Sequence, residues 1–311
     1  MPELPEVETI RGQLAPVVEG RRIVAMQVLD PRWSAPLTPD ELSEVVQGRR
    51  IERLGRRGKY LIWELEGELF LIQHLRMSGA ILLEPNPETP HVRVRMQMRG
   101  PGRKITRLAI VDQRRFGTAQ LVFGAQALED FFASRLGLEP FDAGFTIDHL
   151  WRQIRGRRTP IKALLLDQKR IAGVGNIYAD EALFAARVHP ARAAGTLTKA
   201  QAAALREGVI DALRAGIDAK GASIDDFRHI DGVSGSFQDR FMVHLRAGEP
   251  CPRCGTPIVK LVVAGRGTYV CEHCQKPPRG ARVGGATGGL AALRRREARR
   301  AGRSGRRPAS R

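Results

Sequence analysis

The chain has 311 residues, enough for a sizeable core and, at ~150 residues per domain, for two domains or one with an appended module. Lysine and arginine number 51 against 33 aspartate and glutamate, a formal charge of +18 with a pI near 10.9, so the natural partner is a polyanion such as nucleic acid or an anionic membrane surface. A hydrophobic content of 42% excludes disorder throughout, and no uninterrupted apolar run approaches the ~18 residues of a membrane span.

No basic segment followed by an apolar stretch opens the chain, so no signal peptide is read and a reducing cytoplasm is expected. After Pro5, residues Val7, Ile10, Leu14 and Val17 recur at helical spacing. Pro5 suits a first helical turn, and Glu6 and Glu8 suit the positive end of the helix dipole. Over residues 22–123 the pattern turns to alternation, seen at 59–66, 68–75, 91–98 and 105–112 and broken by Gly, Pro and Asn. That predicts an antiparallel sandwich or barrel.

Pro and Gly around residues 138–143 mark a break, beyond which the chain reads helical. Thr159 and Pro160 predict an N-cap followed by a first-turn proline, with a helix over 161–167. Thr198 with Gln201 predicts a capping box on a helix ending near Ala219. Between 220 and 240 the periodicity gives way to Gly, Ser and Asp, a long loop expected to be functional. From Gly280 onward Gly, Ala and Arg dominate, and disorder is expected. Residues 276–311 carry eleven of the eighteen net positive charges, which leaves the body moderately basic. No internal repeat is visible.

The four cysteines form Cys251-x2-Cys254 and Cys271-x2-Cys274, sixteen residues apart. That spacing matches a four-thiolate zinc site made of two knuckles and a short hairpin, closed to further ligands and therefore structural. A redox role for the CxxC pairs is the weaker alternative, because it lacks a βαβ context. His273 lies between two ligands but is not needed by a metal with four thiolates. Arg266, between Gly265 and Gly267 on the hairpin, is either presented to a phosphate or simply solvated on a scaffold.

Pro2 follows the initiator Met, a context that normally permits its removal, so the mature chain would begin with a secondary amine beside Glu3 and near Glu6. An α-amino group titrates at about 7.7–8.0, far below lysine, so part of it is a free nucleophile near neutral pH. Attack on an aldehyde-level carbon gives an iminium, an electron sink that acidifies the neighbouring C–H and allows elimination. The alternative is an ordinary terminus ahead of a helix cap. From composition alone Met77 and Phe116 would be core residues, and Lys59 an exposed lysine at a strand start.

The opening PELPEVET, His74-Leu75-Arg76-Met77-Ser78-Gly79, Arg114-Arg115-Phe116-Gly117, the run GVGNIYADEALF at 173–184 and the zinc knuckles occur in this order. Together they resemble the bacterial formamidopyrimidine-DNA glycosylases over about residues 1–276. The resemblance implies an α+β chain: a catalytic antiparallel β-sandwich with a leading helix (1–138), a helix-two-turn-helix domain (146–245) with a lesion loop at 220–240, a zinc finger (246–276), and a disordered basic tail (277–311). It implies one structural zinc on Cys251, Cys254, Cys271 and Cys274, damaged double-stranded DNA as partner, no membrane, a monomer, and a cytoplasmic, nucleoid-associated location.

The activity implied is bifunctional. Pro2 attacks C1′ of the damaged nucleotide and expels an oxidised purine, such as 8-oxoguanine or a formamidopyrimidine, and β- and δ-elimination follow. Glu3 moves protons, Glu6 holds the amine, and Lys59 contacts phosphate beside the lesion and assists catalysis. His74, Asn176 and Arg266 belong to the DNA-contacting set. Met77 fills the gap left by the flipped nucleotide, Phe116 wedges a base step, and Arg114 bonds the orphaned cytosine.

Gln113 stands where the family often has Pro, Gly235-Ser236-Phe237 lacks an aromatic some relatives carry, and His244-Leu245-Arg246 replaces a more usual Tyr-Gly-Arg. These departures bear on lesion preference. Two other readings remain: an endonuclease VIII-like enzyme for oxidised pyrimidines, against which Leu4 and the Met77, Arg114 and Phe116 set weigh, and a non-catalytic zinc-ribbon DNA-binding protein.

Overall fold

The computed structural model describes residues 2–223, 230 and 235–278. Ten of the 21 residues of the loop expected to be functional (224–229 and 231–234), and the tail from 279 onward, lie outside the described residues. The chain divides into two compact units, one of 1–142, 168–174 and 213–240, the other of 143–167, 175–212 and 241–311.

The first unit opens with α1 (Leu4–Val18), whose Leu4, Val7, Ile10, Leu14 and Val18 are all buried. Each such side chain contributes ~1.5–3 kcal/mol by leaving water. There follow β1 (Arg22–Val28), α2 (Pro31–Ser34), α3 (Pro39–Val46), β2 (Ile51–Arg57), β3 (Tyr60–Leu65), β4 (Leu69–His74), β5 (Gly79–Leu83), β6 (Val92–Arg99), β7 (Ile105–Asp112), β8 (Thr118–Phe123) and α4 (Ala125–Ala133).

The strands form two antiparallel four-stranded sheets, ordered β1-β6-β7-β5 and β2-β3-β4-β8. Residues of both sheets, including Met26, Ile81, Met96 and Leu108 from one and Leu54, Trp63 and Leu71 from the other, share one core with α1. This is the expected sandwich. Strand register sets two groups of neighbours at the sheet ends: Tyr60 and Thr118 flank His74, and Gly79 faces Asp112.

The alternation expected across 22–123 is interrupted by α2 and α3. Thr38 caps α3, with Glu41 N–H donating to its hydroxyl and its own N–H donating to the Glu41 carboxylate. Only Leu42 and Val46 of this short helix are buried, a single i, i+4 pair that periodicity alone does not reveal.

The second unit contains α5 (Ile147–Ile154), α6 (Ile161–Leu166), α7 (Asn176–Ala185), α8 (Lys199–Asp218, within this unit as far as Ala212), and a hairpin of β9 (Val259–Val263) and β10 (Arg266–Val270). The Thr198–Gln201 capping box forms as expected, with both reciprocal bonds at 3.0 and 3.2 Å. At α6 the start lies one residue later than Thr159 implied. Pro160, with ψ 138, is itself the N-cap, and Asp167 lies beyond the last turn. The hairpin turns through Ala264 and Gly265, both at positive φ, the geometry that matches the twist of the flanking strands.

Gly173 is the glycine whose chemistry matters most to the first unit. Its φ is +91, its carbonyl accepts the Leu4 N–H at 3.1 Å, and an added Cβ would lie 2.4 Å from Leu4 Cδ1. Gly173→Ala is therefore expected to lower the unfolding free energy by about 2–4 kcal/mol, combining backbone strain with overpacking; urea denaturation measures the loss.

Candidate nucleic-acid interface and metal centre

In the first unit, the start of the chain is held from several sides. Pro2, Glu3 and Leu4 are buried. The Glu6 carboxylate accepts the Glu3 N–H on Oε2 and the Ala222 N–H on Oε1, each at 2.8 Å. Gly221, at φ +78, lets the chain pass so close that a Cβ there would meet Glu6 Cγ at 2.9 Å. Glu6 thus joins α1 to the described stem of the 220–240 loop.

Lys59 lies in the turn between β2 and β3 and is 6% exposed, which corrects the reading of an exposed strand-start lysine. A brace of carboxylates and arginine holds that turn. Arg56 forms a bidentate pair with Glu139 (2.9 and 2.8 Å) and a further bond to Glu8 (2.9 Å), while Glu139 also accepts the Gly58 N–H.

His74 ends β4 with its ring edge against Tyr60, centroids 4.5 Å apart. Burial, and then the charges of Arg76 and Lys59, push its pKa down to about 3. Its Nδ1 accepts the Arg76 N–H at 2.9 Å, so the neutral ring carries its proton on Nε2, a donor suited to an anion.

Met77 is half-buried, whereas Arg114 and Phe116 are exposed, Phe116 by 49%. The core placement that composition favours for Phe116 is therefore wrong. The Arg114 guanidinium sits 5.0 Å from the Phe116 ring centroid. Beneath them Asp112, 1% exposed, organises both loops. Its Oδ1 accepts the Ser78 hydroxyl (2.5 Å) and the Arg114 N–H (3.2 Å), and its Oδ2 accepts the N–H groups of Phe116 (2.8 Å) and Gly117 (2.7 Å). Between these residues, Arg115 at φ 58 forms a bidentate pair with Asp30 (2.6 and 2.9 Å), which holds the Asp30 carboxyl down at about 2.

In the second unit, Gly175 is the N-cap of α7 and Asn176 its first residue. The Asn176 amide donates to the Gly267 carbonyl at 3.0 Å, so the helix start is fastened beside Arg266, which is exposed. Lys162, fully buried, crosses the same region, bonding Asp180 (2.7 Å), Thr268 (2.8 Å) and the Gly267 carbonyl (3.2 Å). His244 is buried with Nδ1 2.8 Å from Asp180 and its ring edge-on to Phe241 and Tyr269. Neighbouring Glu181 accepts the N–H groups of Met242, Val243 and His244. His244, a departure from the usual tyrosine, thus fills a packed, hydrogen-bonded position.

The four cysteine sulfurs lie within 4.8 Å of one another. Cys251 to Cys274 is 3.9 Å and Cys254 to Cys271 is 3.5 Å, bracketing the ~3.8 Å edge of a tetrahedron with Zn–S bonds of about 2.3 Å. Four thiolates this close repel one another and need a cation between them.

Family models match the chain in three consecutive stretches. The formamidopyrimidine-DNA glycosylase N-terminal domain matches residues 1–119, the H2TH domain of the same enzymes 136–228, and the zinc finger found in FPG and IleRS 248–277. The formamidopyrimidine-DNA glycosylase of Chloroflexus aurantiacus is 46% identical over 279 residues, covering 88% of this chain and 98% of that protein. The chain belongs to the formamidopyrimidine-DNA glycosylase family. The Symbiobacterium thermophilum enzyme is 43% identical, over 90% of this chain and 91% of its own length. Among solved structures, the MutM (Fpg) protein of Thermus thermophilus superposes with a TM-score of 0.79 at 41% identity, and a Lactococcus lactis Fpg variant bound to Fapy-dG DNA with 0.82 at 34%; each covers 89% of this chain and 100% of its own.

One structural zinc belongs to this finger. Sequence reasoning found the cysteines but missed Asp112 and Glu139, whose partners include backbone N–H groups and so leave no spacing to read. The aspartate just before the Arg114-Arg115-Phe116 run was the available clue. Cys254→Ser is expected to drop the zinc content well below one per chain and unfold the hairpin while the sandwich stays folded, as measured by metal analysis and the amide spectrum of 246–276.

Proposed function

We infer that the chain is a bifunctional DNA glycosylase and abasic-site lyase that excises oxidised purines, 8-oxoguanine and formamidopyrimidines, from duplex DNA. The observation that carries this is the fastening of residues 2–6: Leu4 N–H on Gly173, and Glu6 accepting from both Glu3 and Ala222. A nucleophile at a chain end is useful only when it is held still.

In the proposed sequence the Pro2 nitrogen, freed by removal of Met1, attacks C1′ and the glycosidic bond breaks toward the protonated base. The sugar ring opens to an iminium, which acidifies C2′–H, and loss of that proton expels the 3′ phosphate; a second elimination expels the 5′ phosphate. Glu3, buried next to Pro2, exchanges protons with the sugar oxygen and in the eliminations. Lys59 and the Nε2–H of His74 take phosphates flanking the lesion, and Asn176 and Arg266 take backbone phosphates on the second unit.

Met77, Arg114 and Phe116 fill and wedge the gap left by the flipped nucleotide. Exposure of the Phe116 ring on a buried scaffold supports this assignment, because a side chain that enters a base step must first be accessible. The domain limits proposed are 1–138, 146–245 and 246–276, and the proposed location is the cytoplasm, at the nucleoid, where duplex DNA lies. Among the described residues no helix is long and apolar enough to cross a membrane.

Adduct trapping, lesion preference and two variants test this reading. Borohydride reduction during incubation with an abasic duplex should give a covalent adduct whose peptide begins at Pro2, with 8-oxoguanine opposite cytosine excised in preference to thymine glycol. Pro2→Gly should reduce excision at least a hundredfold with little change in duplex affinity; an adduct mapped to a lysine would overturn the mechanism. Asp112→Asn should weaken lesion-duplex binding and excision about tenfold or more, because an amide cannot accept four bonds. Trapping at a pre-formed abasic site in single-stranded DNA, which needs no flipping, should be spared; an equal loss on both substrates would assign Asp112 a purely structural part.

A further inference from the structure

At the end of α7 opposite Asn176, ~15 Å away along a ten-residue helix, the second unit contains a cavity of about 550 Å³. Its walls carry Arg187, Arg192, Arg253 and Lys276, with His189, Gln201 and His273, and on one side it borders the zinc ligands Cys254 and Cys274; no aspartate or glutamate lines it. Apart from those two cysteines, which hold the zinc, none of these residues has a part in the proposed DNA chemistry.

Two of the cations are held in place. Arg253 donates to the Phe184 and Ala185 carbonyls (2.6 and 3.3 Å) and stacks 4.1 Å from the Phe184 ring centroid. Arg192 donates through Nε and Nη2 to Thr196 (3.1 and 2.5 Å). The other two, Arg187 and Lys276, are exposed, and their charged groups make no hydrogen bond or ion pair among the described residues. Arg187 sits at φ 55 just past the α7 C-cap, a position that favours glycine or asparagine, so the turn itself does not call for arginine.

His189 supplies an independent sign of a ligand. It is 1% exposed, its Nδ1 accepts the Ala191 N–H at 3.2 Å, and burial keeps it neutral with a pKa of about 4. The proton therefore resides on Nε2, and that buried atom has no partner among the described residues. A hydrogen-bond donor left unmatched on a residue that lines a basic cavity suits an anionic oxygen.

We propose that this cavity binds a polyphosphate, of the class of pyrophosphate or a nucleoside di- or triphosphate, neutralised by Arg187, Arg192, Arg253 and Lys276 and bonded by His189 Nε2–H. Four positive charges outweigh the net −2 of the four-thiolate zinc centre that borders the cavity, so the space stays positive and suits the negative charges of linked phosphates. Duplex DNA presents its phosphates on a convex cylinder and does not enter a cavity. The volume accommodates a nucleotide, and Gln201 offers an amide to its sugar or base.

The test is calorimetric titration of zinc-loaded full-length protein already saturated with an uncleavable abasic-site duplex, so that the phosphate sites proposed for DNA are filled. Pyrophosphate is expected to bind one per chain, at least tenfold more tightly than orthophosphate. The double variant Arg187→Gly with Lys276→Ala, in which glycine suits the positive φ, should weaken it at least tenfold while lesion excision and zinc content stay unchanged. ATP binding more tightly than pyrophosphate identifies a nucleotide as the ligand; the reverse order identifies an inorganic one. No binding to the saturated complex, equal affinity in the double variant, or release of zinc by pyrophosphate would overturn the proposal.

Discussion

Everything in the first unit depends on keeping the beginning of the chain from fraying. Terminal residues usually gain more entropy from disorder than they lose in contacts. Here the opposite holds, because Leu4 is fully buried and its N–H is bound to Gly173, while the Glu6 carboxylate ties the Glu3 backbone to Ala222. Those partners come from segments some 170 and 220 residues away in sequence. The terminus is thereby fixed by tertiary structure, so the proposed nucleophile exists as a positioned group only when the whole unit is folded.

Buried acceptors repeat this logic elsewhere. Asp112 and Glu181 gather several backbone N–H groups that lie outside regular helix or strand bonding, and Glu139 accepts one such N–H together with the Arg56 guanidinium. A loop built this way has a defined shape without a hydrophobic core of its own, so its outer side chains are free to meet a partner. Arg114 and Phe116 face outward because Asp112 satisfies their backbone from within. Lys162 and Asp180 do the same for the second unit, where a fully buried ion pair joins α6 and α7 to the hairpin that presents Arg266.

What could be read from the sequence followed the range of the forces involved. The zinc cysteines were legible because tetrahedral ligation fixes local spacing. The strands at 60–65, 69–74, 92–99 and 105–112 were legible because two packed sheets impose alternation. The short helix α3 was not, since one buried pair gives no period, although its Thr38–Glu41 cap was present in the letters. The burial of Lys59 and the neutrality of His74 were also invisible, as both depend on neighbours brought up by the fold. The exposure of Phe116 contradicts what its residue type implies, and only the resemblance of the surrounding motif pointed the right way.

The stacking of Arg114 on Phe116 has a colloidal consequence. An aromatic ring raised on a loop tip is an adhesive spot through which free molecules can associate. A guanidinium lying over that ring caps its face with a hydrated charge, and like charge on every copy adds repulsion. The unliganded chain thereby keeps an apolar tip on its surface while one face of the ring is covered.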